Sequence, residues 1–221
     1  MIALHYRQPS HHVAATRSGA LFPLSAPRPD AVHLADIAWH LSHIHRWCGA
    51  TTRPVSVAEH SLFVAEILER EIGNAPPELV LAALLHDAHE AYTGDIITPV
   101  KHYLGDAYHN LERSVQRAIE VRFGVADWAR CHAGTIKHCD HIAAATEARD
   151  LLPESLREYF EAQERGGARP VDWIDLRDRE GMDASDWELA FVARAQGLAS
   201  PCQNARLTAP DTAHRSNDEP R

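Results

Sequence analysis

Apolar residues along this chain recur at helical spacing, and strand-like alternation persists nowhere. Leu34, Ile37, Ala38, Leu41 and Ile44 share one face of "LADIAWHLSHIHRWC", which predicts a first helix ended by Gly49. Ser56, with Glu59 three residues on, forms a capping box at the head of "SVAEHSLFVAEILEREIG", which Gly73 closes. "PPELVLAALLHDAHEAY" has prolines in its first turn and is apolar almost all round, so it is expected as the buried centre. "TPVKHYL" predicts a short helix with Thr98 as cap and Pro99 at its first position. Longer helices fit "YHNLERSVQRAIEVRFG", ending at Gly124, and "HAGTIKHCDHIAAATEARDLL", stopped by Pro153. A last helix fits "ASDWELAFVARAQGL".

No internal repeat or linker divides these segments, so they read as one all-α domain, a helical bundle over residues 33–199. Residues 1–32 include the Pro-rich "LFPLSAPRPDAV" and are expected as an extended N-terminal arm. Residues 154–183 are polar, with "ERGGARP" a loop. The stretch 200–221 is rich in Pro, Asn, Asp and Thr and is expected to be disordered.

Composition narrows the class. A hydrophobic fraction of 45% and a charged fraction of 24% suit a globular protein, and 221 residues suffice to bury a core without staples. The formal charge of −9 speaks against a nucleic-acid polymer as partner, because that needs a basic face. The cysteines, Cys48, Cys131, Cys139 and Cys202, form no CxxC pair, and the start has no signal-peptide pattern. They read as free thiols in a reducing, cytoplasmic setting. No apolar run approaches the ~18 residues of a membrane span. Histidine is unusual at 16 residues.

The stretch "LLHDAHEAYTGD" changes the picture. His86, Asp87, His89, Glu90 and Asp95 crowd the end of the greasiest helix. Burying an unpaired carboxylate costs several kcal/mol, so such a group needs compensation, which a divalent cation supplies. The best further ligands are His60, on the inward end of the second helix, and Asp140, before the small-residue run "IAAA" that lets helices approach. Two imidazoles and two carboxylates suit Mn, Co, Fe or Zn and leave positions for water or substrate. A rival zinc set of Cys131, His132, His138 and Cys139 is disfavoured, since His138 and Cys139 point about 100° apart on a helix. Read by type alone, Arg46 and Lys101 are surface cations, as is Lys137, Trp47 is core, Asp95 is a turn-former and Glu59 a cap.

The order H…HD…D on successive helices resembles the HD-domain superfamily of metal-dependent phosphohydrolases. "SVAEHS", "LLHDAHEAYTGDIITPVK" and "IKHCD" resemble its bacterial 5′-deoxynucleotidase branch, and "DIAWHLSHIHRWCG" resembles the segment carrying that branch's Arg–Trp pair. The similarity covers roughly residues 33–152. It implies an all-α fold, one divalent metal ion (Mn, Co, Fe, Zn or Mg), a nucleotide substrate and a homodimer. By position it implies metal ligands His60, His86, Asp87 and Asp140, and a catalytic glutamate at Glu90. It also implies a sugar-contacting aspartate at Asp95, a phosphate-binding arginine at Arg46 and a sugar-discriminating tryptophan at Trp47. Thr98 and Lys101, in "TPVK", are further substrate contacts on this reading. His89 is a departure that adds an imidazole beside the metal pair. The implied reaction is hydrolysis of a (deoxy)nucleoside 5′-monophosphate. The same core also serves triphosphate- or pyrophosphate-releasing hydrolases, and a nucleotide-binding sensor without turnover is a third alternative.

Overall fold

The expected helices form, but several end where the apolar spacing alone does not put them. The computed structural model describes residues 12–161, 167–179, 181–201 and 203–204. Among these, the helices are α1 (Leu34–His43), α2 (Val57–Ile72), α3 (Pro77–Leu84), α4 (Glu90–Thr93), α5 (Thr98–Leu104), α6 (Asp106–Phe123), α7 (Ala126–Cys131), α8 (Ala133–Leu151), α9 (Glu154–Glu161) and α10 (Ala184–Leu198). The hub is α2, which packs against α1, α3, α8 and α10, while α1 lies along α10. Phe63, Ile67 and Leu68 of α2 are fully buried, each side chain contributing about 1.5–3 kcal/mol. Ala143 and Ala144, buried on α8, let α8 approach α2 closely. The all-α expectation stands. The buried centre is α2, however, and α3 is a short buried rod beside it.

Helix α1 stops at His43 rather than running to Cys48. Residues 44–46 are instead extended and pair with the entry to α2. Arg46 N–H donates to the Val55 carbonyl (2.9 Å), Val57 N–H to the Ile44 carbonyl (3.0 Å), and His45 bridges Ser56. Pairing across the bundle replaces i→i−4 bonds, so apolar spacing alone overruns the helix end. Of the capping box, only half forms. Ser56 Oγ accepts from Glu59 N–H (3.1 Å), but the Glu59 carboxylate pairs with Arg53. The cap of α5 is Ile97, which places Thr98 one residue inside the helix.

The helix expected over residues 76–92 is broken at its polar end. From His86 to Tyr92 the backbone bonds shorten to an i→i−3 pattern. Gln116 of α6 splices the gap. Its Nε2 donates to the Leu85 carbonyl (2.8 Å), and its Oε1 accepts from His89 N–H (3.2 Å). A side chain inserted into the ladder is a recognised cause of a helix break, and here it sits at the HD dipeptide.

The N-terminal stretch carries strands that alternation did not announce. Val13–Ala15 (β1) and Leu21–Pro23 (β2) form an antiparallel hairpin in which Ala14 opposes Phe22. Three residues are too few for alternation to register. The hairpin is tied down: Ser18 donates through N–H and Oγ to the Asp36 carboxylate (both 2.8 Å), and Phe22 stacks on Tyr92 at 3.9 Å. Within the polar segment after Pro153, α9 forms, and Leu176 is buried against α8. Of the expected C-terminal tail, Gln203 is buried and donates to the Phe123 carbonyl (2.9 Å). Residues 205–221 lie outside the described residues.

Candidate active site

Three elements deliver one polar cluster into the apolar interior. The first turn of α2 brings His60, the broken end of α3 brings His86 and Asp87, and α8 brings Asp140. One ligand atom from each lies within 4.8 Å of the others. His60 Nε2 is 3.1 Å from Asp140 Oδ1 and 3.8 Å from Asp87 Oδ2, and His86 Nε2 is 3.1 Å from Asp87 Oδ2. Among the described residues, Cys131, His132, His138 and Cys139 form no such group.

The imidazoles are prepared as ligands. His60 Nδ1–H donates to Glu147 Oε1 (2.7 Å), and His86 Nδ1–H donates to the Ala83 carbonyl (2.9 Å). Each bond places a proton on Nδ1 and turns Nε2 toward the cluster, where His60 Nε2 makes a hydrogen bond with Asp140 Oδ1 (3.1 Å). His86 Nε2 is buried, and among the described residues it makes no well-aligned hydrogen bond, although Asp87 Oδ2 lies 3.1 Å away. A buried nitrogen in that state costs about 1–3 kcal/mol unless something binds it. Burial disfavours a charged His86, yet Asp87 and Asp140 overcome that and push its pKa up to about 10. The pocket therefore draws positive charge, and the donor set fits a divalent cation.

Next to this centre stands a unit the sequence reading did not single out, built on Glu147. It lies two turns after Asp140 on the same face of α8. Its Oε2 accepts from Arg46 Nε (3.0 Å) and Trp47 Nε1 (2.9 Å) while Oε1 holds His60. Burial would raise its pKa, but Arg46 and His60 hold it down at about 2. The only legible signal was the i, i+7 spacing from Asp140, which is weak in any helix. Arg46 Nη1 reaches to 3.9 Å from Asp87 Oδ2. Burial disfavours the Arg46 charge, and Glu147, Asp95, Asp140 and Asp87 outweigh it.

The backbone here is strained. Trp47 and Cys48 have φ of 58° and 49°, followed by Gly49 at 76°. A non-glycine residue in this region costs about 1–3 kcal/mol. The bonds from Arg46 and Trp47 to Glu147 hold the turn, which points both side chains at one carboxylate.

On the other flank, Glu90 is 2% exposed and its Oε2 has no hydrogen-bond partner among the described residues. Burial, Asp87 and Asp95 hold its carboxyl well above the usual range. Lys101 Nζ is 3.7 Å from Glu90 Oε1 and 2.7 Å from Glu112 Oε1. Asp95 is half-buried, its pKa raised by burial and Asp87 against the pull of Arg46 and Lys101. Lys137 Nζ donates to Asp140 Oδ2 (2.7 Å). Thr98 is exposed at the head of α5, and no described contact joins it to the cluster. Glu112, which also meets His89, is a further residue that the sequence reading passed over.

Comparison with known proteins agrees with this geometry. The family model described as 5′-deoxynucleotidase YfbR-like matches residues 33–124. An uncharacterised protein of Rhodobacter capsulatus is 39% identical over 61% of this chain and 70% of its own length. The uncharacterised protein YfdR of Escherichia coli is 34% identical over 62% of this chain and 70% of its own length. A 5′-deoxynucleotidase of Erwinia tasmaniensis is 30% identical over 57% of this chain and 78% of its own length. With relatives of this identity and coverage, a largely buried two-His, two-Asp cluster and an arginine at its edge, the chain belongs to the YfbR-like 5′-deoxynucleotidase family of HD-domain phosphohydrolases.

Proposed function

We propose that this protein hydrolyses the phosphate ester of a deoxynucleoside 5′-monophosphate, releasing nucleoside and phosphate. The observation that carries the reading is Arg46 beside Asp87, a guanidinium 3.9 Å from a carboxylate of the four-residue cluster. Its Nε is committed to Glu147, and among the described residues it makes no further side-chain hydrogen bond. The Nη groups are thus placed to bind two phosphoryl oxygens at the edge of a cation centre. The 5′-deoxynucleotidases among the relatives support a deoxynucleotide substrate.

His60, His86, Asp87 and Asp140 would hold the ion, which when bound supplies Lewis acidity toward phosphate and lowers the pKa of water. Glu90 lies one turn beyond Asp87, beside the centre. It accepts the proton of the water that attacks phosphorus in line. The new P–O bond forms as the bond to the 5′-oxygen breaks, and Glu90 returns the proton to that leaving oxygen. Arg46 anchors the phosphate, Lys101 balances the charge on Glu90, and Asp95 accepts a hydrogen bond from a sugar hydroxyl. Trp47 forms a wall against the sugar, where a 2′-hydroxyl finds no partner.

The test is phosphate release from deoxy- and ribonucleoside mono- and triphosphates, using protein stripped by chelator and reloaded with Mn or Co. The expected result is metal-dependent release of inorganic phosphate from deoxynucleoside monophosphates. Release of pyrophosphate or triphosphate instead, or full activity without metal, overturns the reading.

A further inference from the structure

We infer that a second divalent cation binds beside the first, held by His89 and Glu90 with Asp87 shared between the two ions. The inference rests on the proposed reading of the four-residue centre, because Asp87 belongs to both. The imidazole of His89 carries it, a residue for which the proposed reaction has no use.

His89 repeats the arrangement of His60. In His60 the far nitrogen donates to Glu147 (2.7 Å), and the near nitrogen is turned to Asp140 (3.1 Å) and Asp87 (3.8 Å). In His89, Nε2–H donates to Glu112 Oε1 (3.2 Å), a carboxylate from α6, which bares Nδ1. That nitrogen is buried in a residue only 7% exposed and has no hydrogen-bond partner among the described residues. One ligand atom each from Asp87, His89 and Glu90 lies within 4.8 Å of the others. Glu90, the neighbouring residue of the group, likewise has a buried oxygen, Oε2, without a hydrogen-bond partner among the described residues. Two buried polar atoms left without partners on neighbouring residues of one such group cost stability unless something binds them. A carboxylate at the far nitrogen of a ligating imidazole is also the usual device for orienting it and raising its basicity.

The break in the helix makes this possible. Gln116 splices Leu85 to His89, so the i→i−3 pattern runs through the stretch that carries Asp87, His89 and Glu90. The same α6 residue row that supplies Gln116 supplies Glu112 one turn earlier. Lys101 sits on Glu112 and closes that side of the group. Two carboxylates and one imidazole favour Mn or Mg over softer metals. An ion there would share the phosphate charge between two cations, the clamp known from two-metal phosphoryl chemistry.

The test counts ions. Full-length protein is stripped with chelator, loaded with Mn(II), desalted and assayed for bound manganese per chain, with low-temperature electron paramagnetic resonance on the same sample. Wild type is expected to bind a second manganese ion per chain and to show the signal of an exchange-coupled pair. His89→Asn and Glu112→Gln are each expected to lose the second ion and the coupling, leaving an isolated-ion signal from the first. A thermal melt of each variant confirms that it is folded. A wild type that saturates at a single uncoupled ion overturns the inference, as does retention of the coupled pair in both variants. Failure of the four-residue centre itself reads differently, as no bound ion at all. Failure of the proposed reaction leaves the ion count intact while no phosphate is released.

Discussion

Two buried arginine–glutamate units stand near each other in this bundle, and they are built to different ends. Arg53 reaches Glu59 through both Nη groups (2.9 and 2.7 Å), gives its Nε and Nη2 to the Leu176 carbonyl and its Nη1 to the Pro54 carbonyl. Every donor is matched, and the unit pins the 3₁₀ turn Leu176–Asp178 onto the head of α2. Among the described residues, Arg46 gives only Nε in a side-chain hydrogen bond, to Glu147, sits on a strained turn, and brings its Nη1 to 3.9 Å from Asp87. A buried ion pair is weak evidence of function by itself, since its Coulomb gain roughly offsets its desolvation. What separates the two is the balance of donors and acceptors. The closed unit is a latch, and the open one keeps Nη groups that no side chain among the described residues takes up in a hydrogen bond.

The comparison breaks first at the metal. Asp87→Ala removes a shared carboxylate and should abolish bound metal and lower kcat by on the order of a thousandfold or more, since the ion supplies several kcal/mol in the transition state. Metal content per chain beside the rate checks it, and a variant with normal metal and rate refutes the ligand assignment. Glu90→Gln should leave the ion of the four-residue centre in place while kcat falls about 10²–10⁴-fold, the usual worth of a positioned proton acceptor. If that centre is empty in Glu90→Gln, the residue is a ligand of the first ion and not a shuttle.

The matched changes come next. Glu147→Gln keeps the shape but loses the charge that orients His60 and Arg46. Metal affinity and kcat/KM should fall about 10–100-fold, as when an orienting partner is removed from a ligating histidine. Trp47→Ala tests the same open unit at its sugar side. The ratio of kcat/KM for deoxy- over ribonucleotide should shrink by roughly tenfold, the scale of 1–3 kcal/mol for an unmatched hydroxyl, with metal binding intact. Equal rates for the two sugars in wild type would sink that assignment. Glu59→Gln has the smallest expected effect on rate. Activity per folded molecule should stay near wild type, while breaking the buried pair costs about 3 kcal/mol and lowers Tm by roughly 6–12 °C. A large loss of kcat with unchanged Tm would erase the distinction between latch and site.

Sequence alone determined what depends on nearest neighbours along the chain. Apolar spacing places α2, α6, α8 and α10 within a residue or two, because a buried stripe and terminal glycines, caps or prolines are local signals. The residues His60, His86, Asp87 and Asp140 were legible as a candidate ligand set, because that many ionisable groups beside buried helices demand compensation, and the fold brings them together. Tertiary structure decided everything that depends on contacts far apart in the chain. The end of α1 at His43 comes from pairing with residues 55–57, and the break in the HD helix comes from Gln116 on α6. Glu147 reaches Arg46 and Trp47 across about a hundred residues of sequence. Glu112 and His89 are likewise joined only by the fold. A carboxylate's partner is chosen by which helix faces it after packing, and no local pattern records that choice.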